Sequence, residues 1–385
     1  MPLIASQRHL FDVPDEVAYF NCAYYGPLLN ASLDRLLEGA RAKSHPWKRT
    51  PPDFFTDAET IRNLSAELIG GEAEGYALVP AASYGIATAA RAIEPRLRPG
   101  DEIVVIAEEF PSVVLPFKRV AQETGARLVT IATPEDDWTA AILARMDTKV
   151  KALAVSSCHW TDGAHIDLSA IGKACRDVGA ALVVDGTQSV GAMPFAFADI
   201  APDFLVVAGY KWLLCPYGFG VLHVAAKWRD SRPLEESWLA RDNAEDFAAL
   251  VNYSDTYMPG ARRFDVGEKC TSILPGAIAA LEQVKAWGVD NIAQSLARIN
   301  ARIGAELEQL GFRVPGDSQR SPHMFGAQLP GSYSGDLVRD LEAKNVHISR
   351  RGSALRFSPH LHVNDADIER LLSALRTLVP RTASA

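Results

Sequence analysis

The chain has 385 residues, 48% of them hydrophobic and 22% charged, with a formal net charge of −8. That balance fits a globular protein of two domains, and an acidic chain without a long basic run is not a sequence-independent binder of nucleic acid. The start, MPLIASQRHLFDVPDE, has neither the n-region nor the h-region of a signal peptide, and no apolar run is long enough to span a bilayer.

From residue 76 short apolar runs alternate with amphipathic segments. YALVP (76–80) reads as a strand and YGIATAARAI (84–93) as a helix. DEIVVIA (101–107) is a strand, SVVLPFKRVAQETG (112–125) a helix and ARLVTIA (126–132) a strand. TAAILARMD (139–147) is a helix, VKALAVSS (150–157) a strand and LSAIGKACRDVG (168–179) a helix. ALVVD (181–185), DFLVVAG (203–209) and GFGVLHV (218–224) are strands. The strands are almost continuously apolar, as in a mostly parallel sheet covered by helices on both faces, so the fold class is open α/β.

After about Pro275 the rhythm changes. One long helical stretch (276–311) precedes short β-like pieces, PHMFGAQL, VHISRR and ALRFSPH, and a last helix, DADIERLLSALRTLV. We expect a large domain over 16–265, a smaller α+β domain over 266–385, an N-terminal segment 1–15, and a frayed tail PRTASA. The five cysteines, Cys22, Cys158, Cys175, Cys215 and Cys270, show neither metal nor disulfide spacing. Reduced thiols in a cytoplasmic protein fit that pattern.

Open α/β sheets bind ligands at the carboxyl ends of their strands, so polar residues just beyond the apolar runs are the candidates. Lys211 lies in FLVVAGYKWLLCPYGFG; either its stem carries the ammonium out to water, or the amine has chemistry to do. Asp185 ends a strand, with Gln188 three residues on; a strand-end Asp also serves as a turn former. Ala81, Ala82 and Ser83 form a small-residue turn into a helix, where free N–H groups and the Ser83 hydroxyl would cradle a phosphate. A plain Ser cap is the simpler alternative. AASYG is also one residue from the nucleophile elbow of a serine hydrolase, with Ser83 attacking and a later Asp and His347, His360 or His362 completing the order. Phe110, beyond a strand, is either core or a plate for a planar ligand. His159, Trp160, Thr161 and Asp162 crowd the edge of another strand end. Arg356, between Leu355 and Phe357, is either a solvated strand residue or a clamp on a carboxylate. Together these residues are the inventory that a planar cofactor with a phosphate and a reactive aldehyde requires, and pyridoxal phosphate is such a cofactor.

The order of these pieces resembles the class V aminotransferase family, fold-type-I pyridoxal-phosphate enzymes related to cysteine desulfurase, selenocysteine lyase and isopenicillin N epimerase. The most specific part is VVDGTQSVGAMPF followed by FLVVAGYKWLLCPYGFGVLHV, with Lys211 26 residues after Asp185. The resemblance implies that Lys211 carries the cofactor as a Schiff base. It implies that Asp185 holds the pyridine N–H⁺, Gln188 meets the ring oxygen, and Phe110 stacks where many relatives have His. Ala82 and Ser83 would meet the phosphate, His159 or Trp160 would stand beside the cofactor oxygen, and Arg356 would take the substrate carboxylate. Tyr24 and Tyr25, in NCAYYGPL, would line the substrate side. Relatives read S-x-H-K before the Schiff base; here AGYK leaves Tyr210 to supply that phosphate contact. Glu268 stands where relatives place a Thr that reaches the partner's phosphate. No cysteine follows Cys270, which argues against a persulfide-forming desulfurase. The expected function is transamination between an amino acid and a keto acid, in a homodimer. Epimerisation and β/γ-elimination are alternatives within the family, and a serine hydrolase or a non-catalytic relative lies outside it.

Overall fold

The computed structural model describes residues 3–135, 137–330 and 335–379. The first half contains β1 (Ala18–Tyr19), α1 (Asn30–Ala42), α2 (Thr56–Ile69), β2 (Tyr76–Val79), α3 (Ala82–Ile93), β3 (Glu102–Ile106), α4 (Pro111–Thr124), β4 (Arg127–Ile131) and α5 (Trp138–Arg145). It continues with β5 (Val150–Ser156), α6 (Leu168–Val178), β6 (Ala181–Asp185), α7 (Phe197–Ile200), β7 (Phe204–Ala208) and β8 (Gly220–Val224). Then come α8 (Leu274–Trp287), α9 (Val289–Gln309), β9 (Phe325–Gln328), α10 (Leu337–Glu342), β10 (Val346–His347), β11 (Ser349–Arg351), β12 (Ala354–Phe357) and α11 (Asp365–Leu378). The expected tail PRTASA lies outside the described residues.

The main sheet has the order β2-β8-β7-β6-β5-β3-β4. The pairs from β7 to β4 are parallel, and β8 runs antiparallel to both its neighbours. Successive strand residues enter opposite apolar layers. Val104, Leu153, Val184 and Leu205 pack with residues of α2, α6 and α8. Ile103, Ala152, Val183 and Phe204 pack with residues of α3 and α4. Both faces are dry, which is why the strands read as unbroken Val/Ile/Leu runs rather than alternating ones. Helix ends follow local chemistry. Asp167 caps α6 by accepting from Ser169 N and Ala170 N, and Gly179 ends it in the left-handed region.

The expected single helical stretch over 276–311 is two helices. Gly288, at φ 77° and ψ 125°, breaks it between α8 and α9. α8 packs on α1 and α2 beneath the main sheet, whereas α9 joins the core of the small sheet β11-β12-β9 with α10 and α11. The N-terminal segment crosses between the two. β1 pairs in parallel with β10, and Asn21 bridges to Ser358. Among the described residues, no helix is long and apolar enough to cross a membrane.

Candidate active site

The carboxyl ends of β5, β6 and β7, with the turns after β2 and β3, converge on a cavity of about 240 Å³. Its walls include Ala82, Ser83, Phe110, Trp160, Asp185, Gln188, Tyr210 and Lys211. These residues come from five separate segments, and the topology brings them together.

Lys211 is 7% exposed, and its Nζ stands 5.7 Å from the Phe110 ring centroid and 5.5 Å from that of Tyr210. The surrounding apolar atoms disfavour the ammonium, and Arg356 and Arg351 repel it. Asp185 opposes them only in part, so the amine is drawn down to about 8. The snorkelling alternative fails on this burial. Asp185 is also buried. Its Oδ1 accepts from Thr187 N at 2.9 Å, yet desolvation holds its proton affinity above the ordinary carboxylate range. A cationic ring nitrogen beside it would restore the charged form.

Gln188 is oriented without ambiguity. Trp212 Nε1, which can only donate, points at Gln188 Oε1 at 3.0 Å. The amide nitrogen therefore lies on the other side, where it donates to Ala23 O at 3.1 Å and keeps its second hydrogen for the cavity it lines. At the opposite end, α3 starts at Ala82 after an extended Ala81, and no side chain caps it. The first N–H groups of the helix and the Ser83 hydroxyl are available to an anion. Among the described residues no histidine lines the cavity or hydrogen-bonds Ser83, so the hydrolase alternative lacks its base. His360 and His362 are fully buried elsewhere.

Sequence spacing does not separate His159 from Trp160; the structure does. His159 turns away from the cavity. Its Nδ1 meets Thr161 Oγ1 at 2.7 Å, its Nε2 meets Ala107 O at 3.2 Å, and its ring stacks on Trp138. Both nitrogens have partners, and the residue is not among those that line the cavity. Trp160 lines the cavity edge-on to Phe110, held by Nε1 donating to Glu108 O at 2.6 Å. Glu108 takes a φ of 54°, unusual for a residue with a side chain, at this same corner.

Arg356 on β12 is 1% exposed. Its Nη1 donates to Trp160 O at 2.6 Å, while Nε and Nη2 are buried without a partner. Burial and the neighbouring Arg351 pull the guanidinium down to about 9. A buried guanidinium with two free donors is a site for an anion. Tyr24 and Tyr25 are exposed rather than core. Tyr25 stacks on Tyr217 at 5.7 Å and leans on Tyr210 at 5.4 Å, which puts it on the rim of the cavity. The segment carrying them passes directly over the Lys211 backbone. Gly26 N donates to Tyr210 O, and a Cβ at Gly26 would sit 2.3 Å from Lys211 O. Tyr210 itself lines the cavity, and burial raises its phenol to about 12.

Four contributors carry no assignment from sequence. Glu109 is buried beside Asp185; it accepts from Phe110 N, Ser156 N and Ser156 Oγ, and burial raises its proton affinity. Thr187 bridges Asp185 to Ala208 N. Tyr217 and Ser156 complete the walls. A doubled carboxylate at a strand end, Glu108-Glu109, is the sequence signal that could have found the first.

The residues present fit pyridoxal phosphate: an unpartnered amine, a carboxyl awaiting a cation, an uncapped helix start, and a flat aromatic wall. Relatives agree in kind. The family model "Aminotransferase class-V" matches residues 45–371. A probable cysteine desulfurase of Pyrococcus abyssi is 25% identical, with 96% of each chain covered. An isopenicillin N epimerase of Amycolatopsis lactamdurans is 26% identical, covering 97% of this chain and 98% of its own. Two solved structures share the fold. A C-DES mutant with glycine covalently linked to its PLP cofactor superposes with TM-score 0.85 at 18% identity, over 98% of this chain and 100% of its own. A cysteine desulfurase from Thermococcus onnurineus NA1 superposes at 0.83 and 19%, over 98% and 99%.

Proposed function

The chain belongs to the class-V aminotransferase family, and from that premise we propose that it is a pyridoxal-phosphate-dependent aminotransferase acting on an amino acid and a keto acid. The observation that carries this reading is Lys211: a buried amine, drawn down to about 8, facing an aromatic wall and sharing its cavity with Asp185.

When bound, pyridoxal phosphate supplies an aldehyde that takes up an amine and a cationic ring that withdraws electrons from the substrate Cα. This chain's residues do the rest. Lys211 Nζ is the point of attachment. Asp185 holds the proton on the ring nitrogen, Gln188 donates to the ring oxygen, and Phe110 offers its face while Trp160, edge-on to it, closes the corner. Ala82 N–H, Ser83 and Tyr210 take the phosphate. Arg356 receives the substrate carboxylate through Nε and Nη2, and Tyr24 and Tyr25 form the rim.

With the substrate amine at the cofactor aldehyde, Lys211 Nζ would be the group placed to take the proton from Cα. A base near neutrality suits that transfer. Lys211 is the one cavity-lining group pulled toward neutrality from above; Asp185 is committed to the ring, and Tyr210 is too weak an acid. A single base returns the proton from the side that removed it. That supports relocation of the proton, as in transamination, over the two-sided exchange an epimerase needs. No cysteine lines the cavity among the described residues, which speaks against a desulfurase. Exposed Tyr25, Trp47, Tyr217 and Tyr253 are apolar surface that a second copy would cover, in keeping with a homodimer.

The test is a half-reaction. Purified protein should be yellow, and borohydride should fix a pyridoxyl group on the Lys211 peptide. Single amino acids should then convert the cofactor to its amine form. Failure of every amino acid to do so refutes transamination; racemised substrate or a released side chain would assign the epimerase or lyase alternative.

A further inference from the structure

Beside the cavity stands a second guanidinium that no carboxylate pairs with among the described residues. Arg351 lies on β11, which pairs antiparallel with β12. Its Cζ stands 5.8 Å from the Trp160 ring centroid and 5.9 Å from that of Tyr24. It is therefore set between the wall that anchors Arg356 and the segment lying over Lys211. Its hydrogen bond is local, Nη1 to Arg350 O at 2.8 Å, and it has no ion-pair partner among the described residues. Burial disfavours its charge, and it in turn depresses the proton affinity of both Arg356 and Lys211. Three cationic groups thus meet at the substrate end of the site, with Asp185 committed elsewhere. Gathering like charges in a partly desolvated place is a standing cost that only incoming anions relieve.

Arg356 accounts for one anion. Arg351 does not line the cavity that holds Lys211 but borders a neighbouring cleft. It lines a cleft of about 510 Å³ with Trp138, Arg313 and Gly352, whose walls also carry Glu108, Glu135 and Asp162. Trp160 lines the Lys211 cavity and Arg351 stands 5.8 Å from its ring centroid, so a substrate side chain leaving Cα along the Trp160 edge would come within reach of Arg351.

We propose that Arg351 binds a second anionic group at the end of the substrate side chain, so that the enzyme selects amino acids with acidic side chains. The assignment rests on the amino-acid reading given above.

The experiment titrates the holoenzyme with L-aspartate, L-glutamate and L-2-aminoadipate, and with L-asparagine and L-glutamine as neutral counterparts, following the visible absorbance of the cofactor. At least one acidic member should half-saturate at a concentration about tenfold to a hundredfold below the neutral ones, the range of a hydrogen bond between charged groups. Arg351→Gln should bring the ratio close to one, and Arg351→Lys should restore part of it. Retained cofactor absorbance shows that each variant is folded. Equal half-saturation in the wild type, or a ratio untouched by Arg351→Gln, overturns the role of Arg351 and leaves the amino-acid reading standing. No spectral response to any amino acid overturns both.

Discussion

Arg356 Nη1 donates to the carbonyl of Trp160 at 2.6 Å, tying a strand of the small sheet to the loop after β5. One edge of the guanidinium is thereby fixed while Nε and Nη2 remain free for a ligand. Arg356→Leu removes both roles. We expect kcat/KM for any amino acid to fall by about 2–5 kcal/mol, the cost of removing one partner of a buried charge pair. The cofactor absorbance should persist. Steady-state kinetics with a parallel absorbance spectrum check this.

Lys211 makes the stability of the cofactor-free protein depend on pH. Its amine is drawn down to about 8 in the folded chain, against an ordinary lysine value of about 10.4 once unfolded. Between those limits the unfolded state binds more protons, so stability rises with pH across that window. Below pH 8 the buried ammonium is a fixed burden. Lys211→Met should therefore stabilise the cofactor-free protein at neutral pH by an amount on the order of 3 kcal/mol. The advantage should shrink as pH climbs from about 8 to about 10. Urea unfolding of both proteins across that range measures it, and a pH-independent difference contradicts it.

Trp212→Phe keeps the ring and deletes the donor to Gln188 Oε1. An orphaned buried acceptor costs about 1–3 kcal/mol. The amide also becomes free to rotate and to present oxygen, not nitrogen, to the cavity. The expected result is lower unfolding stability together with a shifted absorbance maximum of the bound cofactor. Trp212→Leu should behave alike, since neither side chain donates.

Gly26→Ala tests the close crossing over Lys211. The added Cβ would meet a backbone oxygen, which cannot swing aside. Overpacking of this kind costs about 1–3 kcal/mol. Because the strain falls on the Lys211 peptide, cofactor should also dissociate faster on dialysis than from wild type.

Ser83→Ala separates the phosphate reading from the hydrolase one. It should weaken cofactor binding by about tenfold or less, as for one hydrogen bond, with the helix N–H groups still in place. Wild-type Ser83 should not react with a fluorophosphonate.

The sheet was legible in sequence because strands dry on both faces cannot be polar; the runs ending at Ile106, Asp185 and Ala208 are direct consequences. So were the places of Asp185, the last residue of β6, and Lys211, in the turn just beyond the adjacent parallel strand β7. What depends on rotamers was not legible. His159 and Trp160 are neighbours in sequence, and only the partners of each ring decide which enters the cavity. Gly288 gives no warning that it takes a non-helical ψ between two good helices. Arg351 becomes notable only when β11 folds back on β12, since nothing in SRRGS distinguishes it from Arg350.

The pairing of β1 with β10, and of Asn21 with Ser358, sets an order of assembly. Residues near 20 are made first, but their backbone partners near 350 are made last. Until then the segment holding Tyr24, Tyr25 and Gly26 is held above Lys211 only by its bonds to loops of the main sheet, Gly26 N to Tyr210 O and Gln188 Nε2 to Ala23 O. Large chains fold domain by domain as they emerge, so the main sheet can form with the roof of its pocket fastened on one side only. The site is finished only when the two ends of the polypeptide meet, and a chain cut short before β10 can carry every residue of the main sheet and still lack an enclosed active site.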